Sequence, residues 1–395
     1  MRKNMEQSKK VEKILILSTA YHPFVGGAEI AIKEITDRVQ GYEFDLITAK
    51  LNKNLPTEER IGGIMVYRLG FGKPLLDKLT LPFWGAYKIW KLESSREYSS
   101  IWAMMVSFSS ISGYIFNFVR FISRKKRIPI ILTLQEGDSE DYLRYKWAGL
   151  IDLSWRLALS QTYFLTAISN FLLNRAIRRG FKGESALIPN GVNLKLFSEP
   201  ISQVTKDELK KNLNKKDGDI FLVTTSRLTH KNAVDDIISA LVSLPTNISL
   251  VVIGMGDEGV KLQKQVYDLG LRERVKFLGF VDYSEIPKYL SICDIFIRPS
   301  RSEGFGNSFI EAMAAKIPVI ATPVGGIPDF IDDKETGIFC SPDNPQSIVS
   351  AVKTLLGENQ LRSRIVQKAL ERVTERYGWD QIAREMKGVF DKFPN

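Results

Sequence analysis

The feature that most constrains this chain is a recurrence. Short, continuous apolar runs alternate with spacers long enough to hold a helix. A first series comprises KILILS (13–18), FDLITA (44–49), IWAMMV (101–106), IPIILTL (128–134) and FLTAIS (164–169). A second comprises IFLVTTS (220–226), ISLVVIG (248–254), VKFLGF (275–280), DIFIRPS (294–300), PVIATP (318–323) and GIFC (337–340). Runs that are apolar throughout suit strands buried on both faces, and a helical crossover returns each strand parallel to the last. The expected fold class is α/β, with doubly wound parallel sheets. Between the series lies SEPISQVTKDELKKNLNKKDGD (198–219), polar, lysine-rich and interrupted by Pro200, which reads as a linker running into a surface helix. A chain of 395 residues accommodates two domains, expected at 1–197 and 198–377, with a helical end from about Pro345.

Two cysteines and two histidines exclude a disulfide framework and leave little for a Cys/His zinc site, so a reducing, cytoplasmic location is expected. The apolar run near the start, Ile14–Leu17, is too short for a secretory signal core. Ile101 to Val119 carries no charge, but its serines, Gly113 and Asn117 argue against a membrane span. It is expected to be a strand over 101–106, a serine-rich turn, and a helix from about Gly113. Asp217-Gly218-Asp219 matches a metal-binding DxD pattern, yet its place in the linker makes a chance match the better reading.

Open parallel sheets bind ligands beyond the carboxyl ends of their strands, and the polar residues of interest all follow strands. After the first run, Gly26-Gly27 precedes a helical pattern over 28–39, and can serve either as an anion cradle or as a plain turn. After 220–226, Arg227 and Lys231 offer a donor fork and a point charge suited to a diphosphate, or two solvated cations, with His230 between them. After 248–254 comes G-M-G-D-E-G, with Asp282 23 residues beyond Gly259, near the place of a ribose-binding acid in a dinucleotide fold. Because this glycine motif follows a later strand of its series, a turn lining a nucleotide pocket is the milder reading. After 294–300, Glu303 and Glu311 bracket Gly304 and Gly306. A helix starting near Asn307 or Ser308 would offer its N-terminus to phosphate, and Glu311 could accept from two vicinal hydroxyls. Ser308 and Glu311 are also spaced as a helix capping box, which accounts for Glu311 but not for Glu303 or the glycines.

Taken together, these segments resemble the retaining family-4 glycosyltransferases, the E-x7-E enzymes of GT-B fold. EGFGNSFIEAMA resembles the signature itself, PFVGGAE the N-terminal glycine loop, IPNGVN (188–193) the segment ending the first domain, and SRLTHKN the Arg…Lys phosphate pair. VIGMGDE resembles the nucleotide-side turn, and PVIATPVGGIPDFI the stretch after the E-x7-E helix. The resemblance implies two Rossmann-like domains facing a cleft, a nucleotide-diphosphate sugar donor, and no obligatory metal or other cofactor. It implies catalytic roles for Arg227 and Lys231 on the leaving diphosphate and for Glu303 on the transferred sugar. Glu311 would take the ribose, and the backbone of Gly304, Phe305, Gly306, Asn307 and Ser308 would anchor the donor. Gly254, Phe280 and Val281 would flank the base, and Gly26 and Gly27 would reach the phosphates on domain closure. The donor phosphate would take the acceptor proton, with no protein nucleophile. Where many members carry histidine, this chain has Gln135, which cannot shuttle a proton. The final helix of such folds crosses back, so about 378–395 are expected with the first domain.

Net charge is +10, which favours anionic partners. LPFWGAYKIWK (81–91), RFISRKKR (120–127) and DYLRYKWAGLIDLSWR (141–156) interleave aromatics with cations. They suit either a peripheral anionic membrane contact with a glycan or lipid-linked acceptor, or core aromatics beside solvated lysines. Without a recognisable nucleic-acid module, no nucleic-acid partner is expected. The expected activity is sugar transfer in polysaccharide or glycolipid synthesis. A GT-B epimerase or hydrolase, and a non-catalytic sugar-nucleotide or lipid-binding protein, are the alternatives.

Overall fold

The computed structural model describes residues 11–24, 26–137 and 150–394. The chain forms two compact units. The first runs through Glu136, continues to Ile188 and takes back the C-terminal segment from Asp380; the second holds Pro189–Trp379.

The first unit is built on β1 (Glu12–Leu17), β2 (Tyr42–Ala49), β3 (Glu58–Ile61), β4 (Ile64–Leu69), β5 (Ser100–Met104), β6 (Ile130–Leu134), β7 (Phe164–Ala167) and β8 (Glu184–Leu187). They form one sheet in the order β3-β4-β2-β1-β5-β6-β7-β8. Every pairing is parallel except the β3–β4 hairpin. β3, β4 and β8 were not expected. β3 and β8 are short edge strands with partly exposed, polar residues, so they lack the apolar run that betrays a central strand. The helices are α1 (Gly27–Thr36), α2 (Pro74–Glu93), α3 (Phe108–Ile122), α4 (Leu150–Gln161) and α5 (Asn170–Arg178).

The 101–119 stretch divides into strand and helix as expected, but the helix starts at Phe108, not Gly113. The serines are helical because their hydroxyls find acceptors: Ser110 Oγ donates to the carbonyl of Met105 at 2.6 Å and Ser112 Oγ to that of Leu81 at 3.0 Å. Among the described residues, no helix is long and apolar enough to cross a membrane.

The second unit begins with α6 (Leu194–Ser198) and α7 (Gln203–Asn212), followed by β9 (Ile220–Thr225), α8 (Val234–Leu241), β10 (Ile248–Ile253), α9 (Gly259–Asp268) and β11 (Val275–Gly279). Then come α10 (Ile286–Leu290), β12 (Ile295–Arg298), α11 (Asn307–Ala314), β13 (Val319–Ala321), β14 (Ile338–Phe339), α12 (Pro345–Gly357) and α13 (Asn359–Arg376). The parallel sheet has the order β11-β10-β9-β12-β13-β14, so its direction of winding reverses between β9 and β12. That reversal opens the crevice in which doubly wound sheets bind ligands. Leu222, Leu250, Val252, Ile295, Ile297 and Ile320 form the strand side of the core, and Ile237, Leu241, Ile348 and Val352 the helix side.

The boundary falls nine residues earlier than expected, at 188/189 rather than 197/198. Val192 bridges to Gly378, Asn190 Nδ2 donates to Asn307 Oδ1 at 3.1 Å, and Phe197 packs on Tyr283 at 5.4 Å. All three contacts tie 189–197 to the second unit; the polar linker composition begins only after them. The last helix, α14 (Trp379–Phe390), brings Phe390 against Trp102 and Phe44 of the first unit's sheet, at 5.4 and 6.0 Å between ring centres. The Asp217-Gly218-Asp219 segment is a turn: Asp219 Oδ2 accepts from the Lys216 N–H and Asn247 Nδ2 donates to the Gly218 carbonyl.

Candidate active site

In the second unit the expected residues gather at the carboxyl ends of β9, β10, β11 and β12. The loop leaving β9 carries Arg227 and Lys231. Arg227 is exposed and, among the described residues, its guanidinium has no hydrogen bond or ion pair. The loop itself is held firmly. Asn232 Nδ2 donates to the Arg227 carbonyl at 2.5 Å, and Ala233 takes a left-handed conformation (φ 53°) to enter α8. Arg301, which the sequence reading did not single out, fastens this loop to the one leaving β12. Its backbone N–H donates to the Lys231 carbonyl and its Nη1 to the His230 carbonyl, both at 2.8 Å. Its guanidinium also engages Asp235 through two nitrogens, at 2.9 and 3.0 Å, and reaches Asp236 and Asp343.

The turn after β10 lies against the same loop. Gly254 (φ 134°) approaches so closely that an added Cβ would sit 1.9 Å from the Ser226 carbonyl oxygen. Leu228 N–H donates to the Met255 carbonyl at 3.0 Å. The glycines of this motif thus admit backbone-to-backbone contact beside the loop that carries Arg227 and Lys231, and they follow the second strand of the sheet, whereas a dinucleotide fingerprint follows the first. Asp282 opens a short 3-10 turn, its carbonyl accepting from the Glu285 N–H. At the end of β11, Phe280 leaves its ring 68% exposed, with the half-buried Val281 next to it.

The loop after β12 is organised by a buried cation that the sequence reading also missed. Arg298, at the end of an otherwise apolar strand, donates through Nη1 to Ser308 Oγ at 2.7 Å and through Nε to Ser300 Oγ at 3.1 Å. Its Nη2 is paired with Glu303 Oε2, and its guanidinium lies over the Phe309 ring at 4.8 Å. Burial lowers its pKa to about 10, so it stays protonated at neutral pH. Glu303 Oε1 accepts from the Gly304 N–H at 3.0 Å. A carboxylate has about four acceptor positions, so Glu303 retains capacity for ligand hydroxyls. Gly325 (φ 59°) presses on Glu303 from the loop after β13: an added Cβ would fall 1.7 Å from its carbonyl oxygen.

The two readings of Glu311 separate here. Gly306, in a left-handed conformation (φ 99°), is the N-cap of α11, and no side chain caps that helix end. Ser308 is the second helical residue and its hydroxyl serves Arg298, so the Ser308/Glu311 capping box does not form. Glu311 is 8% exposed. Burial raises its pKa to about 7, partly offset by the Arg298 charge and by a hydrogen bond with Tyr283. Phe305 is only 1% exposed and packs on Phe330 and Tyr377 at 5.0 and 5.6 Å. Its side chain belongs to the core, which leaves only its backbone to serve a ligand. Asn307 accepts from Asn190.

In the first unit, Gly26 is the N-cap of α1 and Gly27 its first residue. The Glu29 carboxylate sits over Gly26, 2.6 Å from where a Cβ would be, so this helix start already has a carboxylate beside it. Gln135 follows β6. Its N–H donates to Glu136 Oε2 at 3.0 Å, and Glu136 Oε1 accepts from the Val106 N–H at 2.5 Å, joining the ends of β5 and β6. Desolvation pushes the Glu136 carboxyl above its usual range, and these N–H groups and Arg175 pull it back.

Two doubly wound parallel sheets, the second with its polar groups at the winding reversal, define the GT-B class of glycosyltransferases. Sucrose-phosphate synthase from Thermosynechococcus elongatus superposes with a TM-score of 0.82 at 21% identity, over 96% of this chain and 98% of that one. Anabaena HepE in complex with UDP-glucose gives 0.76 at 21% identity, over 96% and 99%. Residues 205–372 match the family model described as glycosyl transferases group 1. An uncharacterised glycosyltransferase of Methanocaldococcus jannaschii is 27% identical over 96% of this chain and 97% of its own length. The alpha-monoglucosyldiacylglycerol synthase of Acholeplasma laidlawii is 26% identical over 83% and 84%. The second unit thus carries a glycosyl transferases group 1 domain, and the chain as a whole is similar to glycosyltransferases of the family-4 type.

Proposed function

We propose that the protein transfers a hexose-type sugar, with retention of configuration, from a nucleoside-diphosphate sugar to a glycan or lipid-linked acceptor. The observation that carries this reading is the polar set at the winding reversal of the second unit. A free arginine and Lys231 lie on one loop, which Arg301 staples to a second loop holding two carboxylates around a buried arginine. Beside them is the start of α11, which no side chain caps.

In this reading Arg227 and Lys231 bind the diphosphate and stabilise the negative charge it gains on leaving, the term that dominates reactions of this kind. The start of α11 and the backbone from Gly304 to Ser308 add partial positive charge. Glu311 accepts from the ribose hydroxyls, the base rests by Gly254, Phe280 and Val281, and Glu303 orients the sugar. The bond from the anomeric carbon to the phosphate oxygen breaks, and the acceptor oxygen bonds to that carbon on the same face. The acceptor proton passes to the departing phosphate oxygen, so no protein nucleophile is needed. Gln135 can act by hydrogen bonding only, since its amide does not titrate. Two cations on the diphosphate make a bound metal dispensable, and chelation with EDTA should leave turnover unchanged. The synthase from Acholeplasma laidlawii and the UDP-glucose complex of HepE support a hexosyl donor and a lipid-type acceptor. We place the reaction in the cytoplasm, at the inner face of the plasma membrane.

The test is binding and turnover across a panel of nucleotide sugars, with and without glycan and lipid acceptors. Acceptor-dependent donor consumption is expected. Equal consumption without acceptor would mark a hydrolase or epimerase, binding without turnover a non-catalytic protein, and neither binding nor turnover would sink the proposal.

A further inference from the structure

The outer face of the first unit's α2 and α3 is the least expected surface of the molecule. The two helices run parallel and in close contact. Ser112 Oγ donates to the Leu81 carbonyl, a Cβ on Gly85 would meet Ser112 Oγ at 2.2 Å, and Arg120 Nη1 binds Glu93 Oε1 at 2.5 Å near both C-termini. The inner side of α2 buries Leu81, Ile89 and Leu92. Its outer side should then be polar in an ordinary surface helix. Instead Leu79, Phe83, Tyr87 and Trp90, spaced four, four and three apart, form an exposed stripe, with Phe83 at 70% and Trp90 at 58%. Trp84 extends it, 6.5 Å from Tyr87. On the last turns of α3, beside the end of that stripe, Phe118, Phe121 and Ile122 are 58–64% exposed.

The charges around this face have one sign in excess. Lys91, Arg124, Lys125, Lys126 and Arg127 are exposed, and Arg127 lies over the Phe121 ring at 4.5 Å. Of the nearby acids, Glu93 is engaged by Arg120, Glu58 by Lys88, and the buried Asp77 by the N–H groups of Leu51, Phe71 and Gly72, while Glu97 shares a groove with Arg120, Lys126 and Arg127. Exposed tryptophan and tyrosine amid aliphatic side chains, next to flexible cations, match the headgroup zone of an anionic bilayer, where rings sit at the apolar boundary and ammonium groups meet phosphate. We infer that the α2–α3 face docks the protein on an anionic lipid surface. This deepens the acceptor part of the function proposed above, but its test needs no turnover. Of the other aromatic stretch in the sequence, 141–156, residues 141–149 lie outside the described residues, and Trp155 is buried beneath Arg179.

The experiment is flotation of the full chain with vesicles of phosphatidylcholine, alone or with phosphatidylglycerol added, while following tryptophan emission. Binding to the anionic vesicles, a blue shift and weakening by salt are expected. F83S/W90S should lower partitioning by about tenfold or more. K125A/K126A should lower it by about fivefold per cation. All four positions are exposed, so melting curves should match wild type; if the aromatic pair melts early, the lysine pair carries the test. Failure to float, equal binding to neutral and anionic vesicles, or unchanged binding by a folded variant would overturn the inference. So would a dimer in solution that F83S/W90S abolishes, because the face would then belong to a second copy. A protein that floats yet consumes no donor would leave this inference standing and refute the proposed function instead.

Discussion

Replacing Glu311 with glutamine tests the centre of the site most directly. The carboxyl titrates near 7 in the fold, against 4.5 for a free glutamate, because burial disfavours its charge more than Arg298 and Tyr283 restore it. A rise from 4.5 to about 7, at 1.36 kcal/mol per pH unit, corresponds to about 3 kcal/mol. The folded state holds this proton more tightly than the unfolded chain. Its contribution is therefore full below about pH 4.5 and is lost as pH rises through about 7. Glutamine keeps the shape and an acceptor oxygen without the charge. The difference in unfolding free energy between Glu311→Gln and wild type should shift towards the variant by about 3 kcal/mol between pH 4 and pH 8. Denaturant melts at several pH values measure it, and taking the difference cancels every other titrating group. Nucleoside diphosphate affinity should show the opposite cost. One charge-assisted hydrogen bond to a ribose hydroxyl is worth roughly 1.5–3 kcal/mol, so the variant should bind about 10- to 100-fold more weakly at pH 8. Its deficit should shrink with a 2′-deoxy nucleotide. Parallel stability curves for the two proteins would refute the buried, proton-holding carboxylate. Undiminished nucleotide affinity would refute its role on the ribose.

Three further outcomes follow from the same geometry. Arg227→Ala should lower kcat by about 10²- to 10³-fold while circular dichroism stays unchanged, because the side chain is exposed and unpaired among the described residues. Arg301→Ala strands Asp235, Asp236 and Asp343 and unties the Lys231 loop, and should cost about 2–4 kcal/mol in denaturant unfolding. Gly325→Ala forces a Cβ to within 1.7 Å of the Glu303 carbonyl oxygen at a φ of 59°. It should destabilise by about 2–4 kcal/mol and raise the donor KM, measured by urea melts and initial rates.

The strand series could be read because parallel strands inside a sheet are apolar on both faces, and each of the eleven expected runs overlaps a strand. Three strands of the first sheet could not: β3 and β8 are polar edges that gain their place from a neighbour's hydrogen bonds, and the short apolar run of β4 is broken by Arg68. Within the site, Arg227, Lys231, Glu303 and Glu311 stood out because polar residues after apolar strands are visible locally. Arg298 left a faint trace, a cation closing the apolar run DIFIR. Arg301 and Tyr283 left none, since nothing near them in sequence reveals their partners. Arg301 reaches Asp235 across 66 positions because β9 and β12 are neighbours in the sheet.

The sequence by itself determined two parallel α/β units and where along the chain their polar groups emerge, because burial on two faces and helical spacing are written into runs of a few residues. It left Glu311 with two roles. Tertiary structure removed the capping role by making Gly306 the helix cap and giving Ser308 to Arg298, and it enclosed the carboxyl until its proton is held near neutral pH. The same holds for the outer face of α2. An aromatic helix reads alike whether it is core or surface, and only packing shows which of its sides has no partner among the described residues. Desolvation and ion pairing depend on what surrounds a side chain in space, and for these residues that was set by the order of strands in the sheet.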